Sequence, residues 1–440
     1  MRRGAVEKQE HRLRKMPLLN LSRYCSRRLA IAALLPLALV AQYVAAAPGD
    51  TFNLTVGSTY MYDSNVFRLS PVIDPVSFLG QPGRSDHIIT STASLNFNKT
   101  YGMQRFDVTG SIVDNRYQNF DFLSFIGKNY NAAWHWFLTP YFYGTLRSSH
   151  RESLNNFANL TGFINSTNRN LRTDDDHRFD AVYEIDGAWR LIGGISQVTR
   201  TNSRLTVQDF DNRVRSVEGG IRYAFPSGSS LTYKVRGGQG EFINRAAPIA
   251  SAFFDTRFSE MEHEVRLIWL VTGKTSIDAR AGHLDRDHAH FPQRDFSDFV
   301  GNFNLNWAAT GKILVNSGWA RDLHNFQTAP NFQFVGFRTF SSSYIATDRF
   351  FFSPVWKISE KTALRLRYEY SIRDFLGSVS SAPLETRSDS MHSGLVELDW
   401  QPLRAPLIVS AALRREHRSS NLRGFDFDVI AASIAARLSF

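Results

Sequence analysis

Cysteine is almost absent from this sequence of 440 residues, since Cys25 is the one example. It lies in a segment that has the order of a secretory signal peptide: a basic stretch, an apolar run over 29–40 and small residues at 44–47. We therefore predict a signal peptide over 1–46 and a mature domain over 47–440. Loss of the leader would leave no thiol to form a disulfide, attack a substrate or bind a metal.

A strong basic excess is also absent from the predicted mature domain. The whole chain has 51 Lys and Arg against 41 Asp and Glu, but nine of these bases and two of these acids lie in residues 1–46. The net charge of +10 then falls to about +3. This small value gives no support for nucleic-acid binding from bulk charge.

Long hydrophobic runs and helical periodicity are missing as well. No stretch after residue 46 approaches the roughly 20 apolar residues of a membrane-spanning helix. Apolar and polar residues instead alternate one by one, as in 230–236 and 364–373. This period of two is typical of long strands that have one apolar and one polar face.

The connections between these strands alternate in length. Eight short turns are separated by nine longer polar stretches, so the chain should contain about eighteen strands, or sixteen to twenty if a hairpin was split or merged. Short turns on one rim and long loops on the other are typical of transmembrane barrels. We predict an all-β fold: a transmembrane antiparallel up-and-down β-barrel in the bacterial outer membrane. A large soluble β-protein is the alternative.

Tryptophan positions favour the barrel over the soluble alternative. Seven of the eight tryptophans lie within about five residues of a short turn, and only Trp319 points toward the long-loop side. Because indoles prefer the membrane interface, we predict a periplasmic aromatic girdle. Its members are Trp134, Trp136, Trp189, Trp269, Trp307, Trp356 and Trp400.

The last strand has the pattern of a barrel-assembly signal. Apolar residues alternate from Ile430 to Leu438 and Phe440. A terminal strand of this kind must add edge-on to the barrel-assembly machinery and then close against the first strand. We predict that Leu438 and Phe440 form this signal, with the assembly machinery and outer-membrane lipid as partners.

The polar residues of the alternating strands should line an aqueous lumen, because eighteen strands are too many for a packed interior. Both charge signs occur among them, with an excess of arginine. This set would suit hydroxyl-rich or anionic solutes, or the charges could merely neutralise one another and hold the wall. The candidate lumen residues are Arg222, Lys234, Arg236, Arg266, Arg280, Arg365, Arg367, Arg373, Glu264 and Glu369. The asparagine-rich stretch 151–173 is a candidate for an inward constriction, although a solvated surface loop is the simpler interpretation.

Catalytic signatures are missing. The sequence has no Gly-x-Ser-x-Gly, no HExxH and no phosphate-binding glycine loop. The acids and histidines of 283–290 surround Arg286, which would repel a cation, and the acids at 174–176 favour a solvated corner over a calcium site. We expect no enzyme activity and no cofactor; a lipid-modifying barrel enzyme is a distant alternative.

The first strand ends in Tyr62-Asp63-Ser64-Asn65-Val66-Phe67-Arg68. This segment resembles the Y-D-x-N-[LVI]-F-R motif of the EpsL-like outer-membrane proteins, a group of porin-like barrels encoded with exosortase and exopolysaccharide operons. The resembling positions are Tyr62, Asp63, Asn65, Phe67 and Arg68. The resemblance implies a polysaccharide-permeable channel in exopolysaccharide biosynthesis or export, with polysaccharide and periplasmic export proteins as partners. The alternative is a general or sugar-selective diffusion porin.

Overall fold

The fold is a single sheet of long antiparallel strands. The computed structural model describes residues 51–155, 157, 169–205, 208, 211–244, 255–290, 292–326, 342–378, 385–402 and 406–440. The predicted signal peptide lies outside the described residues. The strands are β1 (Phe52–Asp63), β2 (Asp86–Tyr101), β3 (Gln104–Tyr117), β4 (Phe125–Thr139), β5 (Phe142–Leu154), β6 (Leu171–Glu184), β7 (Trp189–Asn202), β8 (Asn212–Ala224), β9 (Ser230–Phe242), β10 (Arg257–Thr272), β11 (Thr275–His288), β12 (Phe296–Ala308), β13 (Ile313–Asn325), β14 (Tyr344–Ser359), β15 (Thr362–Leu376), β16 (Arg387–Trp400), β17 (Leu407–Ser420) and β18 (Phe427–Ser439).

The sheet closes on itself. Each strand pairs with the strands before and after it in sequence, and β1 also pairs with β18. Closure satisfies the backbone groups of the first and last strands, which would otherwise form exposed edges. The predicted all-β barrel with eighteen strands is confirmed.

The two rims differ as predicted. Turns of two to six residues join the strands at one rim, which we call the turn rim, and connections of six to twenty-two residues join them at the other, the loop rim. Loop 1 is 64–85 and contains the helix α1 (Pro75–Leu79), loop 2 is 118–124, and loop 9 is 421–426. Short 3-10 helices cover Asp121–Leu123 and Pro292–Arg294. At the turn rim, backbone N–H groups of Trp189 and Ala188 hold the pKa of Asp186 below its ordinary value.

None of the helices in the described part of the chain is long and apolar enough to cross a membrane.

Alternate residues of each strand form two chemically different surfaces. On the outer side, branched apolar side chains such as Ile195, Val217 and Ile434 remain more than half exposed. The other side carries charged groups that pair across strands, for example Arg280 with both Glu262 and Glu264. An exposed apolar outside and a polar inside are what a barrel needs in a bilayer.

All seven tryptophans of the predicted girdle lie on outward-facing strand positions toward the turn rim. Six of them expose two fifths to one half of their surface. Trp136 is the exception, with 5% exposure, because its ring stacks on Phe179 with centroids 5.6 Å apart. Trp319 faces outward toward the loop rim and donates a hydrogen bond from Nε1 to Asp348. The interface role of these residues stays a prediction.

Tyrosine–histidine pairs also face outward, and they lie nearer to the loop rim than the tryptophans do. Three hydroxyl-to-Nδ1 hydrogen bonds of 2.7–2.9 Å recur around the barrel, and one further pair is stacked. The hydrogen-bonded pairs are Tyr60–His87, Tyr233–His263 and Tyr368–His392, and the stacked pair is Tyr130–His150. Each pair joins neighbouring strands, so its members lie far apart in sequence, and period-two patterns alone could not match them.

The seam between β1 and β18 is held at the turn rim by the last residue. Phe440 and Leu54 exchange two backbone hydrogen bonds of 2.7 and 2.9 Å. The side chains of Leu438 and Phe440 lie on the outward-facing positions of this strand. Their reading as an assembly signal stays a prediction.

Candidate functional site

The inner wall contains all ten candidate lumen residues. They lie on the inward-facing positions of β8–β11 and β15, where the register brings those of neighbouring strands side by side. Their binding role stays a prediction, but the structure shows which of them have partners.

Four arginines lie in one row across five strands. Arg190, Arg222, Arg266 and Arg280 occupy successive register positions on β7, β8, β10 and β11, with Thr232 between them on β9. We call this the arginine row. Cross-strand register alone decides such an arrangement, which is why the sequence did not reveal it.

Three members of the arginine row are neutralised by carboxylates. Arg266 binds Asp278 through two hydrogen bonds of 2.9 and 2.6 Å. Arg190 binds Glu184 at 2.8 Å, and Arg280 binds Glu264 at 2.6 Å. These three guanidinium groups therefore stabilise the wall through their ion pairs and also line the lumen.

Arg222 differs from its neighbours in the row. Its Nε donates to the hydroxyl of Thr232 at 3.1 Å, and it makes no ion pair with the described residues. An arginine cannot lose its proton at physiological pH, so this position carries a positive charge with no described carboxylate in contact, although Asp180 acts on it electrostatically.

A charged network lies next to the arginine row, toward the loop rim. Lys234 Nζ lies 3.2 Å from Glu218 and 3.5 Å from Glu264. Arg236 Nε donates to Glu262 at 3.0 Å, and Arg286 Nε donates to Glu260 at 2.8 Å. The acids of β10 and Arg286 are less than a tenth exposed, whereas Lys234 and Arg236 cover the acids and remain partly accessible from the lumen. The ion pairs fit the interpretation that the charges hold the wall, and the binding of solutes stays a prediction.

The candidates on β15 also include both arginines with an ion-pair partner and one without. Arg365 binds Asp399 at 2.7 Å, and Arg367 binds Glu369 two residues along the same strand at 2.8 Å. Arg373 forms no hydrogen bond or ion pair with the described residues, although Asp389 acts on it electrostatically.

Another part of the wall is rich in amides and hydroxyls. Thr109 donates to Asn96 at 2.8 Å, and Thr90 donates to Asn115 at 3.0 Å. Asn, Ser and Thr occupy about half of the inward-facing positions of β1–β4, where Asp107 also pairs with Arg105 and His135, and β12, next to β11, adds asparagines. The lumen therefore has a part that is rich in arginine and a part that is rich in amides and hydroxyls.

The discounted metal sites are not assembled. Members of 283–290 bind separate carboxylates, with His288 beside Asp295 and His290 beside Asp255. Among the described residues, which include the acids at 174–176, no group of three His, Cys, Asp or Glu side chains could hold a metal ion.

Loop 1 turns inward, which the sequence did not predict. Arg68 of this loop lies 3.2 Å from Glu416, on an inward-facing position of β17. Val66 and Phe67 pack against Phe120 and Leu123 of loop 2. Most of the stretch 151–173, the candidate constriction, lies outside the described residues.

Comparison with known proteins finds no matching family model and no matching curated protein. Solved barrels that resemble the chain include three from Pseudomonas. The outer-membrane protein OpdK of Pseudomonas aeruginosa is 11% identical, with a TM-score of 0.44 and coverage of 88% of this chain and 99% of that one. OccK2 (OpdF) of the same species is 9% identical, with a TM-score of 0.47 and coverage of 89% and 98%. A BenF-like porin from Pseudomonas fluorescens is 12% identical, with a TM-score of 0.44 and coverage of 89% and 98%.

This chain is a porin-like β-barrel of the outer membrane. The closed strand order, the apolar outer surface and the polar lumen support that statement together.

Proposed function

We propose that the barrel is a diffusion channel for small polar solutes and that it favours anionic, hydroxyl-rich ones. The observation that carries this proposal is the arginine row, with the charge of Arg222, which no described carboxylate contacts, in its middle. Guanidinium groups bind carboxylates through paired hydrogen bonds, and a positive charge on the lumen wall that lacks a carboxylate in contact raises the local concentration of anions.

The amide and hydroxyl side chains of the lumen wall support the preference for hydroxyl-rich solutes. Amide and hydroxyl side chains both donate and accept hydrogen bonds, so they can replace the water around a solute's hydroxyl groups. A solute with a carboxylate and several hydroxyls would find partners on both parts of the lumen wall.

A single substitution tests the charge preference. Arg222→Gln should lower the anion-over-cation permeability ratio by up to about tenfold, because a unit charge ~6 Å from an ion in water changes the energies of an anion and of a cation by ~0.7 kcal/mol each, in opposite directions. The measurement is the reversal potential of purified barrel in a planar bilayer under a salt gradient.

Arg215→Gln is the matched control. Arg215 lies on the same strand but on its outward face, where it donates to Gln197 at 3.0 Å. This variant should keep the wild-type ratio. Equal ratios for wild type and Arg222→Gln, or absence of any conductance, would contradict the channel proposal.

A role in exopolysaccharide export rests on the resemblance of Tyr62 to Arg68, and we rank it below the diffusion channel. The side chains of Asp63, Asn65 and Arg68 are engaged in contacts within the loop, so the segment has a local structural reason for its composition.

Deletion of the gene separates the two functions. The diffusion channel predicts normal surface polysaccharide and slower uptake of small acidic sugars. A loss of surface polysaccharide with unchanged uptake would favour the export role instead.

A further inference from the structure

The seam between β1 and β18 is weaker than the pairings beside it. It has nine register pairs, against twelve for β1 with β2 and twelve for β17 with β18. Strand pairs are stabilised mainly by contacts between side chains that face each other across the strands. A shorter pairing therefore loses both backbone and side-chain contacts.

Small side chains line the seam on both strands. All four alanines of β18 face β1, at positions 431, 432, 435 and 436. Their partners include Ser58 and Thr59, which are also small. A Cβ added at Gly57 would lie 3.2 Å from the carbonyl oxygen of Ala436, so the two backbones also leave little room for a larger residue.

Loop 1 connects to β18 immediately above this pairing. The backbone N–H of Ser64 donates to the Ile430 carbonyl at 3.0 Å, and Ser64 Oγ accepts from the Ile430 N–H at 2.8 Å. Asn65 Nδ2 donates to the carbonyl of Asp428 at 3.3 Å. The chain thus continues to hold β18 after β1 has ended.

Arg68 extends the connection one strand further. Its Nη1 donates to Asp63 Oδ2 at 2.8 Å, and its Nε lies 3.2 Å from Glu416 Oε2. Asp63 belongs to β1 and Glu416 to β17, so this guanidinium spans β18. Both carboxylates are nearly buried, and an ion pair shielded from water is lost at a high cost when one partner is removed.

The backbone at Arg68 is shaped for this contact. Arg68 is the only non-glycine residue in the described part of the chain with a positive φ, at 56°. Asn65 fixes the turn, since its side chain accepts from the Leu69 N–H at 2.9 Å and donates to the Leu69 carbonyl at 2.8 Å. A left-handed arginine costs free energy that favourable contacts must offset.

We propose that residues 62–70 form a seam strap, which locks the first strand to the last two strands at the loop rim. Ser70 adds a contact with loop 9, where its Oγ donates to Asp426 at 3.0 Å. The strap completes the closure that Phe440 makes at the turn rim. The segment that resembles the exopolysaccharide-associated motif would then have a mechanical role in closing the barrel.

The test measures unfolding of the detergent-purified barrel in guanidinium, followed by tryptophan fluorescence and by gel mobility without heating. Arg68→Gly keeps a backbone that tolerates positive φ and removes the guanidinium, so it isolates the side chain. We expect its unfolding rate to rise on the order of tenfold, because the lost contacts belong to the closed barrel. Glu416→Gln should have a similar effect, and the double variant should unfold no faster than the worse single variant.

Arg367→Gly is the matched control. Arg367 also forms an inward-facing ion pair, but with Glu369 of its own strand, so this ion pair joins no two strands; its guanidinium otherwise lies 5.0 Å from the centre of the Phe351 ring on β14. A wild-type unfolding rate for Arg68→Gly, or a rate no faster than that of Arg367→Gly, would overturn the strap. A changed conductance with unchanged unfolding would assign loop 1 to solute gating instead. These readouts do not depend on the anion preference, so the strap and the proposed channel can fail separately.

Discussion

At the scale of single residues, the outer surface shows why neighbours across strands matter more than neighbours in sequence. Trp136 and Trp134 have the same apparent place in the sequence pattern, yet Trp134 is 41% exposed and Trp136 is nearly buried. The difference arises because Trp136 lies over Gly144, its register partner on β5. Period-two alternation predicts the outward direction of both rings, but only the register predicts which one is covered.

A glycine pair tests this contact. A Cβ at Gly144 would lie 2.6 Å from the Trp136 ring and 2.0 Å from the carbonyl oxygen of Asp180. Gly144→Ala should therefore destabilise the barrel by ~1–3 kcal/mol, as overpacking does, and should shift the tryptophan emission.

The control is Gly110→Ala, at another outward-facing strand glycine. A Cβ there would meet nothing within 4 Å. Its stability should stay equal or rise by roughly 0.5–1 kcal/mol, because alanine loses less backbone freedom on folding. Equal destabilisation of both variants would contradict the contact with Trp136.

At the scale of elements, strands were predictable and loops were not. A strand in a closed barrel exposes one face to lipid and the other to water, and this contrast is written directly into alternate residues. Loop conformation instead depends on buried groups such as Asp86, whose carboxylate accepts hydrogen bonds from the backbone of Gln118, Asn119 and Phe120. Asp86 lies more than thirty residues before these partners, so no local pattern indicates the contact.

The last strand provides the prediction at this scale. Phe440→Ala should lower the amount of assembled barrel in outer membranes more than Trp319→Ala does. Phe440 lies at the end of the closing strand, whereas Trp319 is one of several aromatic residues on the outer surface. Quantifying unheated and heated barrel on gels of outer-membrane fractions measures the difference. Equal assembly of the two variants would contradict an assembly role for Phe440.

At the scale of the whole molecule, the alternation of short and long connections predicts about eighteen strands, within a range of sixteen to twenty. It did not determine which charges meet, because register decides whether Arg280 faces Glu264 or a neutral side chain. Two features therefore stayed hidden: the arginine row along β7–β11 and the strap that spans β18. Both features bring together residues that lie far apart along the chain but on strands that are close in space.

The gathering of arginines on one part of the lumen wall has a consequence for transport. Positive charge that is unevenly distributed around the wall produces an electric field with a component across the channel, perpendicular to the direction of diffusion. A solute with a carboxylate at one end would turn that end toward β7–β11 and keep this orientation as it moves. Passage would then depend on the width of the solute measured from its charge to its far side, so two isomers of equal mass and charge would cross at different rates.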